Sequence, residues 1–387
     1  MLKLPPTIAA VMFLCGCASL PGIRQALESP ECSVRCQAVK GLGSLRPTAD
    51  TITLLLRALD DPSPQVRGDA AAALVAFIDA PAGTEILQQV KAASEHAKLA
   101  VIGALGGAEM PLPAAGLLCN MLSEESAAIR LAAAKALKAS KSPDKRPLLL
   151  RVWKQDADER VRLAALISAG YPAKDARNDD SLLQAWRELL NTRPDLLQRP
   201  ECLRAAGDLR IAHAASLLLP LTADPELRYI AIESLGKLRS AEAAGLLLET
   251  LARNESWVMN RQVCRALGRI REPASAPALA QIFRESRPET DKDSWDRMVF
   301  ATLAMVKIGG DDIFEAFASH ITDPKKREFA LYGLHRMTGA QPVWVENYWL
   351  YTWKGIEQQW RTWWAENRDA VAKRLDQKAK EEYDGEE

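Results

Sequence analysis

Residues 55–77, LLRALDDPSPQVRGDAAAALVAF, contain two apolar-periodic segments joined by a short polar turn. Apolar residues of the second segment recur at three- and four-residue spacing, at Val66, Ala70, Ala73, Leu74 and Phe77. This spacing places them on one face of an α-helix, whereas a half-buried strand would alternate with period two. In the turn, Asp61 can accept backbone N–H bonds at the next helix start, and Pro62 favours the turn. The stretch therefore predicts a helical hairpin.

The second segment recurs along the chain, each time with an apolar residue before a cation. The first marked cations are Arg35, Arg67, Lys98, Arg130 and Arg162, which are 31 or 32 residues apart. Self-similarity at such a period is typical of stacked helical repeats. Less regular marks follow at Arg204, Arg228, Arg261, Arg297 and Arg327. The long step before Arg204 indicates an insertion near residues 191–200 with a truncated repeat after it.

The combination of two-segment helical hairpins and a recurring cation resembles the HEAT repeat, in the short form also found in phycobilin-lyase-type HEAT proteins. The resemblance covers roughly residues 23–339. The resemblance implies an all-α fold, a right-handed α-solenoid of about nine to ten HEAT-type helical hairpins with a Trp-rich C-terminal capping segment. In HEAT solenoids, arginine and aspartate marks commonly form ladders between adjacent repeats. The residues expected to do so are Arg35, Arg67, Arg130, Arg162, Arg228, Asp61, Asp224 and Asp323. The alternative is an arginine row that faces a carboxylate-bearing ligand.

The N-terminal residues 1–17, MLKLPPTIAAVMFLCGC, predict a targeting segment, with one cation at Lys3 followed by a short apolar run. That run is too short for a transmembrane helix. Leu14-Cys15-Gly16-Cys17 resembles a bacterial lipobox, which implies cleavage before Cys17 and diacylation of its sulfur. Two acyl chains anchor a protein stably where one does not. The alternative is an ordinary secretory signal.

The composition limits the partners. The chain has 50 Lys and Arg against 50 Asp and Glu, with 48% hydrophobic residues. This content supports a packed core and excludes a disordered or collagen-like chain. A neutral chain lacks the basic excess of proteins that neutralise phosphates, so no nucleic acid partner is predicted.

Few residues suggest catalysis. The four histidines are His96, His213, His320 and His335, and none is paired at metal-ligand spacing. HEAT-type deoxyhypusine hydroxylases carry His-Glu dipeptides at a di-iron centre, and this sequence has no His-Glu dipeptide. Phycobilin lyases work in the cytoplasm, which conflicts with export. Since nucleophile-elbow, Walker and dinucleotide motifs are also absent, we predict no enzyme activity, cofactor or metal.

The cysteines after Cys17 give no catalytic pattern either. They are Cys32, Cys36, Cys119, Cys202 and Cys264. An odd number cannot all pair, and Cys32 and Cys36, four apart, have marginal geometry for a disulfide. The favoured interpretation is small apolar residues in packed helix faces.

The C-terminal region departs from the repeat in being rich in tryptophan. It holds Trp344, Trp349, Trp353, Trp360, Trp363 and Trp364, six of the ten in the chain. Spacings of four and three predict one helical face with Trp349, Trp353, Ile356, Trp360 and Trp363, although Gly355 could interrupt the helix. Such a face does not include Trp364 or Trp344. It can cap the last repeat or form a recognition platform for sugars, cations or a protein partner.

These observations predict a division of the chain and a function. The expected segments are a signal peptide (1–16), lipidated Cys17 with a short tether (17–22), the solenoid (23–339), a Trp-rich helical cap (340–376) and a solvated charged tail (377–387). We expect a non-enzymatic scaffold that binds a protein partner in the bacterial cell envelope. It would be lipid-anchored, on the periplasmic face of the outer membrane if the cell is Gram-negative. The alternatives are a glycan or peptidoglycan binder that uses the tail tryptophans, and a HEAT-type enzyme such as a bilin-lyase-like protein.

Overall fold

The structure is a computed structural model that describes residues 20–106, 110–287, 292–340 and 352–385, without the side chains of 292, 293 and 383–385. The predicted signal peptide, Cys17, Trp344 and Trp349 lie outside the described residues. Helices account for all the regular secondary structure within these ranges. The chain divides into two compact units, Met1–Ala176 and Arg177–Glu387, which are described separately.

The first unit contains five successive helical hairpins in its described residues. Its helices are α1 (Leu20–Ala26), α2 (Cys32–Gly43), α3 (Ala49–Ala58), α4 (Pro64–Ala76), α5 (Gly83–Ala92), α6 (Glu95–Gly106), α7 (Leu112–Met121), α8 (Ala127–Ala136), α9 (Lys145–Gln155), α10 (Glu159–Ala169) and the short α11 (Ala173–Ala176). The second helix of each hairpin packs on the second helix of the next. This is the arrangement expected of a repeat stack.

The second unit contains five more hairpins and ends in a long helix. Its helices are α12 (Asp180–Thr192), α13 (Pro200–Asp208), α14 (Ala215–Leu218), α15 (Arg228–Leu238), α16 (Ala243–Arg253), α17 (Trp257–Ile270), α18 (Ala276–Glu285), α19 (Lys292–Ile308), α20 (Asp311–Ala318), α21 (Arg327–Thr338) and α22 (Trp353–Gly385). The predicted all-α class with stacked hairpins is confirmed.

Small residues allow the second helices to pack closely. In α4, Val66, Ala70 and Leu74 are fully buried. Ala73 lies on the side of α4 that faces α2, where a Cβ atom added at Gly43 would come within 3.0 Å of the Ala73 Cβ. Alanine and glycine at these positions bring the helix axes together, and the larger apolar residues fill the space between the two helix layers.

The irregular region predicted near residues 191–200 contains a 3₁₀ helix. Pro194–Gln198 forms it between α12 and α13, and its Leu196 and Leu197 are buried. The following hairpin is short, since α14 has four residues between two further 3₁₀ helices. These two features correspond to the insertion and the truncated repeat expected from the spacing of the arginines.

The N-terminal end of the solenoid differs slightly from its expected bound. The first helix begins at Leu20, three residues before the predicted start and inside the predicted tether. At the other end, α21 stops at Thr338, and Gly339 adopts a left-handed φ of 65° as its C-cap.

The predicted boundary between cap and charged tail lies inside one helix. Helix α22 runs without interruption from Trp353 to Gly385, so Gly355 does not break it. The tail expected to fray from residue 377 instead contacts the repeats, through the Ala379 carbonyl and the Glu382 carboxylate. None of the helices in the described residues combines the length and apolarity needed to cross a bilayer.

Candidate functional site

Arginine–aspartate ion pairs join neighbouring repeats in the first unit. Arg35 donates to Asp61 through Nε at 2.7 Å and Nη2 at 2.9 Å, and Arg130 contacts Asp156 in the same two-pronged way at 2.7 and 3.0 Å. The two residues of each pair are 26 positions apart. Such two-point pairs are the strongest and most specific ion pairs available to arginine.

Each aspartate also holds the start of the following helix. Asp61 Oδ1 accepts from the Ser63 backbone N–H at 2.8 Å. Burial raises the pKa of Asp61, but the hydrogen bonds from Arg35 and Ser63 outweigh it and hold the pKa below its ordinary value. The pKa of Asp156 is also lowered, chiefly by its hydrogen bonds with Arg130. These carboxylates therefore stay ionised and connect one repeat to the next.

The arginines also donate to main-chain carbonyls at the preceding turn. Arg35 Nη1 donates to Ser29 O, Arg67 Nη1 to Asp61 O, Arg130 Nη1 to Glu124 O and Arg162 Nη1 to Asp156 O. Each carbonyl lies six residues before its arginine. These guanidinium groups therefore face protein atoms, as a structural ladder requires, and do not form an open row for a ligand.

The pairing varies along the chain. Lys98 contacts Glu124 at 2.8 Å, so lysine and glutamate replace arginine and aspartate at that step. Residue 93, which lies 26 positions after Arg67, is alanine.

In the second unit the pattern changes again. Arg228 donates to Glu255 at 2.8 Å, while the Oδ1 atoms of Asp224 and Asp323 accept main-chain N–H bonds at the next turn, from Glu226 and Lys325 respectively.

The second unit contains a set of arginines that sequence analysis missed. Arg239 and Arg271 follow α15 and α17 and adopt left-handed φ angles of 53° and 56°, where glycine is usual. Arg239 Nη2 donates to Ala379 O at 3.0 Å, and Arg271 Nη1 donates to Leu375 O at 3.0 Å. Both side chains reach α22 from the ends of repeat helices. No local sequence signal pairs them with residues more than a hundred positions away.

The C-terminal half of α22 is held by charge. Glu382 contacts Arg271 at 2.7 Å and Lys307 at 2.9 Å. Burial raises the pKa of Glu382, and the two cations lower it by more, so the pKa is below its ordinary value. Arg374 donates in turn to the Met337 carbonyl at the end of α21. These contacts place α22 against the C-terminal ends of successive repeat helices.

Aromatic packing holds the N-terminal half of α22. Trp360 is fully buried and meets the His335 ring edge-on at 5.4 Å. Trp364 stacks on Phe314 at 4.5 Å and donates its indole N–H to Asp311 at 2.8 Å. These contacts cover the last hairpin, as the cap interpretation expected.

The buried face of α22 differs from the predicted stripe. Its buried residues are Ile356, Trp360, Trp364, Val371 and Leu375, whereas Trp353 and Trp363 are half-buried. The interpretation that left Trp364 outside the stripe was therefore wrong. The reason is that steps of four after Ile356 rotate the contact face toward Trp364, where Phe314 and Asp311 offer a stacking surface and an acceptor.

The tail tryptophans that the structure describes do not form an exposed, coplanar platform. Trp360 and Trp363 meet at an interplanar angle of 80°. Trp353 lies under the guanidinium of Arg327, with 4.0 Å from Cζ to the ring centroid. The exposed aromatic side chains are on the repeats instead, where Trp257 and Trp295 are each 44% exposed.

A cavity of about 530 Å³ lies between α17, α19, α21 and α22. Seven of its fifteen lining residues are arginine or lysine, and Glu382 is the only carboxylate among them. Three of the cations, Arg261, Arg265 and Arg269, come from α17 at intervals of four residues and so share one helix face. Helix α19 contributes Phe300, Leu303 and Lys307 to the lining. The lining is therefore rich in cations and also contains the apolar side chains of Phe300 and Leu303.

Three of the thiols have little nucleophilic character. Burial raises the pKa of Cys36 to about 11 and the pKa values of Cys202 and Cys264 to about 12, so these groups stay protonated at neutral pH. The Sγ atoms of Cys32 and Cys36 are 3.9 Å apart, and both thiols are free. Among the described residues, no cluster of three His, Cys, Asp or Glu side chains could hold a metal ion.

Comparison with known families accounts for the repeats. The sequence matches the family model for HEAT repeats over residues 20–96, 83–170 and 215–294, which together cover more than half of the chain. The chain belongs to the HEAT-repeat family. The HEAT matches include the Arg35–Asp61 and Arg130–Asp156 ladder in the first unit and helices α15 to α18 in the second.

Similar solved structures include two helical repeat proteins. The crystal structure of YibA from Escherichia coli aligns with a TM-score of 0.48 at 16% identity, over 70% of this chain and 98% of YibA. Human deoxyhypusine hydroxylase in complex with glycerol aligns with a TM-score of 0.28 at 18% identity, over 87% of this chain and all of the enzyme. A search of curated proteins gives no match to this HEAT-repeat chain.

Proposed function

We propose that this HEAT-repeat protein is a non-enzymatic scaffold of the bacterial cell envelope that binds a protein partner and is anchored through lipidated Cys17. The anchor rests on the sequence Leu14-Cys15-Gly16-Cys17 alone. The scaffold rests on the repeat fold, because HEAT-type stacks use extended surfaces for binding.

The observation that carries the binding proposal is the exposure of Trp257 and Trp295. Each stands near the start of the second helix of its hairpin, in adjacent repeats, with 44% of its surface accessible. Phe329 packs edge-on against Trp295 at 5.9 Å. Tryptophan is enriched among the residues that dominate binding energy in protein interfaces. The partner surface is therefore assigned to the repeats of the second unit, while α22 closes its end.

Capture of the partner tests this assignment. Full-length protein would be purified from solubilised membranes of the native host, and co-purifying proteins identified by mass spectrometry. We expect W257A/W295A to lose a partner that the parent retains, with an unchanged thermal melt. A matched control is Trp153→Ala, a tryptophan of the first unit that is half-buried. Retention of every partner by W257A/W295A would contradict the assignment to this surface.

Fractionation tests the anchor independently. Cys17→Ala is expected to move the protein from the membrane fraction to the soluble fraction, because the lipid-bearing sulfur is removed. Cys15→Ala keeps the lipid-bearing cysteine and should leave the protein in the membrane fraction. Unchanged membrane association of the Cys17 variant would show that the anchor is not this lipid.

A further inference from the structure

We propose that the cavity between α17, α19, α21 and α22 binds an extended acidic peptide segment of the protein partner, with apolar residues between its acidic ones. This inference rests on the proposed scaffold function and specifies the chemistry of the partner. Trp257 lies one turn before Arg261 on α17, so the exposed tryptophan of the proposed partner surface borders this cavity. Three properties of the cavity support it: its unbalanced charge, the spacing of its arginines and the apolar residues Phe300 and Leu303 in its lining.

The charge of the cavity is not balanced by its own residues. Glu382 is already paired with Arg271 and Lys307. Arg261, Arg265 and Lys378 are exposed and have no hydrogen bond or ion pair with any described residue. Cations gathered in one concave site repel each other and attract an anionic ligand. The ligand is therefore expected to be negatively charged.

The spacing of the cations favours a peptide. Arg261, Arg265 and Arg269 lie four residues apart on α17, which separates successive side chains by about 6 Å along the helix axis. In an extended peptide, side chains on the same side are two residues apart, which corresponds to about 6.6 Å. Acidic residues at alternate positions would thus face successive arginines, and arginine binds carboxylates with two parallel hydrogen bonds.

The apolar residues of α19 in the lining favour a peptide with apolar residues between its acidic ones. Phe300 and Leu303 lie three residues apart on α19, so they share a face, and Leu303 is 41% exposed. A cavity of about 530 Å³ has the size of typical ligand sites and accommodates a few side chains, not a folded domain. The alternate side chains of an extended segment point the opposite way from its acids, and Phe300 and Leu303 are the apolar contacts proposed for them.

Peptide binding to purified full-length protein tests the proposal. The probe is a short fluorescent peptide of alternating aspartate and leucine, measured by fluorescence anisotropy. Replacing its aspartates with asparagines should weaken binding by about tenfold or more, because charge-assisted hydrogen bonds are lost. Replacing its leucines with serines should also weaken binding, because contact with Phe300 and Leu303 is lost. Equal affinity for the aspartate and asparagine peptides would overturn the proposal.

Variants of the protein locate the binding. R261Q/R265Q should weaken binding of the aspartate-leucine peptide by about tenfold, with an unchanged melt because both side chains are exposed. The control R187Q/R368Q removes the same charge from exposed positions that do not line the cavity, and should change the affinity less than about twofold. An equal loss in both variants would show a general charge effect and overturn the site.

Other anions serve as competing probes. Phosphatidylglycerol vesicles and a single-stranded RNA should bind no more strongly to the parent protein than to R261Q/R265Q. If either depends on these arginines while the peptide does not bind, the proposal is wrong.

The outcome is separable from that of the scaffold proposal. Failure of the peptide to bind while the partner still co-purifies would overturn the cavity and leave the scaffold in place. Peptide binding without any captured partner would support the cavity and contradict the scaffold proposal.

Discussion

In the first unit a cation of one repeat reaches the next repeat, whereas in the second unit arginines of several repeats reach a single helix. Arg35 and Asp61 are 26 residues apart, but Arg271 and Leu375 are 104 apart and Arg239 and Ala379 are 140 apart. The same hairpin architecture is therefore stabilised by neighbour contacts in one region and by a remote segment in the other.

This difference has consequences for cooperativity. In a repeat stack with only neighbour contacts, stability is approximately a sum of repeat and interface contributions, so damage stays local. Helix α22 contacts α19, α20 and α21 and reaches Arg239 and Arg271 beyond α15 and α17. Loss of its packing should therefore loosen several repeats of the second unit at once. The following predictions test this contrast, from the largest expected effect to the smallest.

Trp360→Ala should destabilise the second unit by about 3–5 kcal/mol, because Trp360 is fully buried. Hydrogen exchange measured by mass spectrometry should rise across α19 to α22 and stay unchanged in α2 to α10. The control Trp363→Ala, at a half-buried position of the same helix, should have a much smaller effect. Exchange that rises in α22 alone would mean that this helix does not hold the repeats together.

Asp156→Asn should destabilise the first unit by about 1–3 kcal/mol at neutral pH. The side chain of Asp156 is only 6% exposed, and the substitution removes the charged acceptor of Arg130. Exchange should rise around α8 to α10 only. Asp195→Asn changes the same group in an exposed pair with Arg193 and should have no measurable effect. A loss of protection that spreads to α2 would contradict neighbour-only coupling.

The pH dependence of this pair has a defined sign. The pKa of Asp156 is lower in the folded protein than in the unfolded chain, so its stabilising effect is complete above about pH 4 and disappears as the pH falls through the lowered value. The stability difference between the parent and the Asp156 variant, from denaturant titrations, should therefore shrink below pH 4. A constant difference down to pH 2 would contradict the role of the charge.

Glu382→Gln should cost about 1 kcal/mol, because a partly exposed carboxylate shared by Arg271 and Lys307 is screened by water. Exchange should rise in the C-terminal half of α22, while the segment around Trp360 stays protected. Glu381→Gln is the matched neighbour, since Glu381 is exposed and accepts a hydrogen bond from Gln377 one turn earlier in the same helix. Equal effects of the two substitutions would remove the specific role of Glu382.

Ala93→Asp should add a missing ladder step and stabilise the first unit by about 0.5 kcal/mol. Ala93 stands 26 residues after Arg67, and its φ and ψ of −74° and 169° resemble the extended −68° and 141° of Asp156. Ala92→Asp, one residue earlier in α5, is the control and should not stabilise. A denaturant midpoint that does not increase for the Ala93 variant would show that the ladder needs more than the right pair of residues.

The repeats were predictable from sequence because their information is local. The period of 31 or 32 residues, the helical spacing of apolar residues and the Asp-Pro turns each occur within one hairpin. The family model confirms the HEAT assignment, and the irregularity after residue 191 appears in the structure as a 3₁₀ helix and a short hairpin. A ladder between repeats was also expected, and Arg35 and Asp61 are both expected marks, whereas Asp156, the partner of Arg130, was not among them.

The docking of α22 was not predictable in the same way. Its amphipathic pattern indicated a helix with a buried aromatic face, but Trp364 is buried because Phe314 and Asp311 lie opposite it. The charge-dense residues after 376 look like a solvated tail, yet Glu382 meets Arg271 and Lys307. Periodicity specifies which residues share a face of a helix. The groups that the face meets depend on contacts between distant segments, and these contacts exist only once the repeats are stacked.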